Sequence, residues 1–198
     1  MEAEISYCSG LGNLFLVDGG RVRHEDGKVK IKVISLWHPW ALAMWKNLKR
    51  YETRSEYAPV VAQLRHYRGW LGIHAAQMPW LKAIDKSFEG EGIEVRKAFA
   101  LKCIDLLNDA PVDRKDFGCI GAVCKFEGGI FQTQTVRNRL SEEEKFWGNY
   151  SDGRRAIHCP NMIRLDEPVP MRGHQGLFDW DVSEAKIEKW EAQCRTLA

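Results

Sequence analysis

The stretch KVKIKVISLW, residues 28–37, alternates charged and apolar side chains with a period of two. No helix tolerates that pattern on a buried face, so the segment is committed to a strand. Lys28, Lys30 and Lys32 fall on one side, and Val29, Ile31 and Val33 on the other. Two readings of the lysine side stay open. It is a solvated edge that discourages sheet-to-sheet association, or it faces phosphate. The next segment changes period. From 38 to 48, Trp40, Met44 and Leu48 recur at i+4, with Ala41 and Trp45 alongside, and Pro39 suits a first helical turn.

Short strands with helices between them continue along the chain. Strands are predicted at 51–54, 69–76, 156–165 and 176–180, with a strand pair or one bent strand over 118–131. Within 69–76, Leu71, Ile73 and Ala75 share one face, while Trp70, Gly72 and His74 share the other. Helices are predicted over 77–109, broken near 89–92, around SEEEKFW, and over 184–197. Residues 55–67 and 167–176 read as loops, and 132–154 as largely irregular. The order lacks βαβ repetition, which argues for an α+β fold, a mixed β-barrel with peripheral helices, over a doubly wound sheet. Residues 1–30 read as an N-terminal hairpin extension, 31–181 as the main domain and 182–198 as a C-terminal helix.

Composition excludes some classes. No apolar run approaches the roughly 18 residues of a membrane span, and the first residues, MEAEISYCSGLG, do not read as a signal peptide. A cytoplasmic protein is therefore expected, with no membrane partner. Six cysteines are present without a Cys-x-x-Cys pair, so buried reduced thiols are expected in preference to a zinc site. No motif for a metal or cofactor is evident. The net charge is only +2, but residues 1–75 carry 11 Lys/Arg against 7 Asp/Glu, a surplus of +4. An anionic partner is expected to prefer that part.

The segment ISLWHPWALAMWKNLKRYETRS, residues 34–55, resembles the signature of the ASCH family in the PUA-like superfamily, with Lys49, Glu52 and Arg54 on the family's Lys-x-x-Glu-x-Arg pattern. YRGWLGIHAA at 67–76, GCIGAVCKF at 118–126 and RGHQGLFDWD at 172–181 are similar to later family segments, in the family's order. FWGNYSDGRRAIHC at 146–159 resembles the Phe-Gly-x-Tyr-x-x-Gly-Arg loop of a bacterial and phage subgroup, with Trp147 standing between Phe146 and Gly148. The resemblance spans about 31–181. It implies a PUA-like barrel with a cleft beside the signature helix, and nucleic-acid binding, to RNA or a single strand, with reading of a modified base open.

Read as chemistry, Glu52 and Arg54 sit two apart on a strand and so share a face, with Lys49 just before it. Lys and Arg suit phosphate, and Glu can accept from a base amino group. The same three residues also suit an internal ion-paired triad. Trp37 and Trp40 bracket Pro39 and offer stacking faces, although Trp40 and Trp45 also have core spacing. His74 beside the small Gly72 is a candidate contact. Arg154 in the 147–155 loop is a candidate phosphate clamp, and Tyr150 a stacking or donor group. The alternative function is hydrolysis of RNA or a nucleoside, with Lys49 as base and Glu52 relaying a proton. A small branch of the family hydrolyses an acetylated nucleoside and has Thr three residues after its Lys. Here that place holds Glu52, and Thr53 is expected on the opposite face.

Overall fold

The computed structural model describes residues 16–18, 21–23, 27–107 and 116–197. Seven strands form one sheet: β1 (Leu16–Asp18), β2 (Arg21–Arg23), β3 (Lys28–Leu36), β5 (Gly69–Ala75), β6 (Cys119–Phe126), β9 (Ile163–Pro170) and β10 (Leu177–Ser183). Their order is β1-β2-β3-β5-β6-β9, with β10 also paired to β3. A second sheet has the order β4 (Tyr51–Ser55), β8 (Arg154–His158), β7 (Ile130–Gln132). Among the described residues the ladders make two sheets and not one closed ring, so the fold is α+β. Among the described strands only β3 and β5 pair in parallel, and the chain between them carries α1 (Trp40–Trp45), β4 and α2 (Pro59–Leu64). The other helices are α3 (Trp80–Ser87), α4 (Ile93–Leu106), α5 (Thr133–Arg137), α6 (Glu142–Phe146) and α7 (Glu184–Leu197).

The alternation in β3 decides how the layers stack. Val29, Ile31 and Val33 face a core that also holds Trp70, Ile120, Trp180 and the α7 residues Ile187 and Trp190. From Ile34 the other parity takes over: Ile34 and Leu36 join Trp45, Leu64, Ile73, Phe126, Trp147 and Ile157 in a larger core shared with the second sheet. The long sheet is therefore the middle layer, buried on both faces. As expected from parity, Leu71, Ile73 and Ala75 enter the larger core while Trp70 enters the other.

The lysine side of β3 turns to β10. Antiparallel register sets Asp179 opposite Lys32 and Asp181 opposite Lys30, and the ion pairs are 2.6 and 2.8 Å long. Cross-strand carboxylates thus neutralise two ammonium groups, which argues against a phosphate-facing stripe.

Several predicted boundaries move. Residues 55–67 contain α2, which starts on Pro59 and buries Val60, Val61 and Leu64. The segment 156–165 divides at Pro160 and Asn161, whose φ of 47° reverses the chain, and its halves join different sheets. β9 continues to Pro170, into the expected loop. β1 and β2 form the expected hairpin (Val17 opposite Val22), and β2 pairs with β3. Residues 1–15 and the turns at 19–20 and 24–26 lie outside the described residues, as do Cys8 and 108–115. Cys103, Cys119, Cys124 and Cys159 are buried free thiols. Burial pushes Cys103 up to about 12 and Cys119 up to about 11, so both stay protonated. No helix among the described residues is long and apolar enough to cross a membrane.

Candidate functional site

The helix after β3 is short because two devices stop it. Asn47 adopts φ 59°, and its side-chain amide donates to the Met162 carbonyl (2.9 Å) and accepts the Met162 N–H (2.8 Å). The chain then turns directly into β4. A buried carboxylate, Glu144 of α6, fixes that turn: it accepts the backbone N–H groups of Arg50 (2.9 and 3.1 Å) and Tyr51 (3.1 Å) and the Tyr150 hydroxyl (3.0 Å).

This turn places the triad. Lys49 is 1% exposed, and its Nζ donates to the Tyr51 carbonyl. It lies 3.4 Å from Glu52 Oε2. Glu52 Oε1 lies 2.9 Å from Arg54 Nε. That N–H has no hydrogen-bond acceptor, so the contact is an ion pair off the N–H direction. Arg54 Nη2 donates to the Ser35 carbonyl at 3.2 Å. Two cations therefore share one carboxylate and leave a surplus of one positive charge.

His74 stands opposite Ser35 in the β3–β5 register. Its Nε2–H donates to the Met171 carbonyl (2.9 Å), which can only accept, so Nδ1 is the acceptor and takes the Ser35 hydroxyl proton at 3.0 Å. Burial lowers its pKa from the ordinary 6.5, against the raising effect of the Met171 bond. Gly72 does not leave space beside it: a Cβ there would meet Val33 at 3.2 Å and Ile120 at 3.4 Å. The glycine that touches His74 is Gly173.

These groups border one open cleft of about 1590 Å³. Typical small-molecule pockets are roughly 300–1,000 Å³, so this one has room for more than a single ring system. Trp37, Trp40, Lys49 and Glu52 line it, as do Arg54, His74 and Arg154. Trp37 is half-buried with the Lys86 ammonium 5.3 Å from its ring centre. Trp40 stacks on Phe99 (5.8 Å, 29°), Phe99 on Phe146 (4.6 Å, 27°), and Phe88 tilts against Phe99 (4.7 Å). Together they make a continuous aromatic wall. Trp45 belongs to the core, with its Nε1–H on the Ile73 carbonyl at 3.2 Å.

Two candidates sit differently from expectation. Tyr150 does not line the cleft. It is 6% exposed, with its hydroxyl on Glu144, and burial followed by that carboxylate pushes the phenol pKa upward. It supports the turn and offers no stacking face. Arg154 borders the cleft but donates to the Asn149 carbonyl (3.1 Å) and the Thr53 carbonyl (3.0 Å), tying the 147–154 loop to β4. Burial lowers its pKa. Thr53, expected on the opposite face, also borders the cleft, and its Oγ1 accepts the Asn149 N–H at 3.2 Å.

The sequence reading missed the loop after β9 and the aromatic wall beyond Trp40. Arg172 and His174 border the cleft and are exposed. The available signal was RGHQG itself, where two glycines flank basic and amide side chains. No protein-family model and no curated protein sequence matches the chain.

Proposed function

We propose that this chain is an ASCH-type domain with a PUA-like arrangement of its two sheets, and that its cleft binds RNA or another single strand, reading one or two nucleotides. The observation that carries this reading is the make-up of the cleft. Among the described residues Lys49, Arg54, Arg154 and Arg172 border it with Glu52 as the one carboxylate, a surplus of +3, beside stacked aromatic rings. The whole chain carries only +2, so positive charge is concentrated where the concavity is. Positive groups suit the backbone and aromatic faces suit unstacked bases. Glu52 is oriented by cations on both sides, which suits acceptance from an exocyclic amino group.

The alternative, hydrolysis through Lys49, has weaker support. Its Nζ is held by the Tyr51 carbonyl and the Glu52 carboxylate, an arrangement that anchors a cation and does not free an amine. Fluorescence anisotropy with labelled single-stranded RNA, single-stranded DNA and duplex, at about 50 to 200 mM salt, tests the proposal. The single strands are expected to bind more tightly than duplex, with affinity falling as salt rises. Absence of binding to every strand at low salt removes it. In parallel, labelled RNA should stay intact with wild type. Cleavage by wild type and none by Lys49→Ala would replace binding with catalysis.

A further inference from the structure

We infer, on the basis of that reading, that the bound strand is oriented within the cleft: a phosphate sits in a corner formed by Arg54, Arg172 and His174, and its base lies toward the aromatic wall. The corner is built around one contact. Ser35 accepts from Arg54 through its carbonyl and bonds His74 through its hydroxyl. Gly173 rests on the same pair: a Cβ there would fall 2.5 Å from His74 Cε1 and 2.8 Å from Ser35 Oγ. Only a glycine allows the loop to seat so closely. Its two sequence neighbours, Arg172 and His174, therefore leave the backbone beside the residue that holds Arg54.

The charge of the corner is only partly spent internally: Arg54 shares the Glu52 carboxylate with Lys49. Arg172 is exposed and makes no hydrogen bond or ion pair among the described residues, and Arg54 Nη1 is likewise without a partner there. The one carboxylate of the cleft, Glu52, is shared with Lys49. Two guanidinium groups bordering one concavity, with a single carboxylate shared between Arg54 and Lys49, leave a positive surplus that suits a phosphate, which each can grip through two N–H donors. The aromatic wall, by contrast, comes from helices α1, α4 and α6 with Phe88 just after α3, and presents ring faces, with the Lys102 ammonium 4.5 Å from the Phe146 ring centre. The two regions thus select different parts of one nucleotide.

The test uses the full chain, a labelled single-stranded octamer and an abasic octamer with the same backbone. Arg172→Ala is expected to weaken both about tenfold, the loss typical of a charge-assisted hydrogen bond. It should also reduce the slope of log affinity against log salt by roughly 0.7, one phosphate contact on a single strand. Arg139→Ala, an exposed cation outside the cleft, should change neither. Trp40→Ala, in the aromatic wall, should weaken the octamer and leave the abasic strand unchanged. Wild-type binding with an unaltered affinity and slope in Arg172→Ala overturns the inference while the binding function stands. Loss confined to the base-bearing strand in Arg172→Ala also overturns it. Wild type that binds neither strand removes both ideas.

Discussion

Removing the Glu144 carboxylate should unfasten the turn that carries the candidate site. The group is 2% exposed and is the acceptor for the Arg50 N–H, the Tyr51 N–H and the Tyr150 O–H. In Glu144→Ala these three donors lose their partner in a place poor in water. Each stranded donor costs roughly 1–3 kcal/mol. The ion pair to Arg50 adds almost nothing, because it is 3.5 Å long and the arginine side chain is 54% exposed. Taking the lower part of the range, the loss is about 3–5 kcal/mol. With a urea slope of about 2 kcal/mol per molar, the unfolding midpoint falls by about 1.5–2.5 M. Glu144→Gln keeps the shape and one acceptor oxygen, so its loss should be about 1–3 kcal/mol. Equilibrium urea unfolding followed by tryptophan fluorescence measures both. A midpoint for Glu144→Ala within about 0.3 M of wild type would refute the account, since it would mean that the three donors find water or other acceptors at little cost.

Two further outcomes follow from packing and from titration. Gly121→Ala places a Cβ about 2.5 Å from the ring of the fully buried Trp45. It should cost about 1–3 kcal/mol by overpacking, and Trp45→Phe in the same chain should recover part of that in a thermal melt. His38 and His74 are buried, and burial lowers both from the ordinary 6.5. The unfolded chain therefore takes up these protons first as pH falls. Their contribution is complete above 6.5 and is lost as pH drops through the lowered folded values, by up to about 1.4 kcal/mol per pH unit for each histidine. Urea midpoints from about pH 7.5 to about pH 5 should decline, and a flat profile would contradict the burial argument.

Much of the candidate cleft's lining was legible in the sequence, because it follows from local rules. Period two in a strand puts Glu52 and Arg54 on one side whatever surrounds them, and Gly-rich punctuation marks where the chain turns. The same rule assigned Leu71, Ile73 and Ala75 to one core. It did not say what faces Lys30 and Lys32, because their aspartate partners on β10 lie 151 and 147 positions away. Nor did it distinguish a phenol that stacks on a ligand from one that props up a carboxylate, as Tyr150 does.

By itself, the sequence determined the strand within 28–37, the helix start at Pro39, the helical break near Gly92, and the residue types available for a cationic, aromatic site. These depend on backbone preferences and side-chain periodicity, which act over a few neighbours. Tertiary structure decided which cations remain uncompensated. Lys30 and Lys32 meet aspartates across a ladder, Arg154 meets two carbonyls, and Arg172 meets no partner among the described residues. Coulomb and hydrogen-bonding partners are set by distance in space, and the chain brings those partners together only when the sheets have formed.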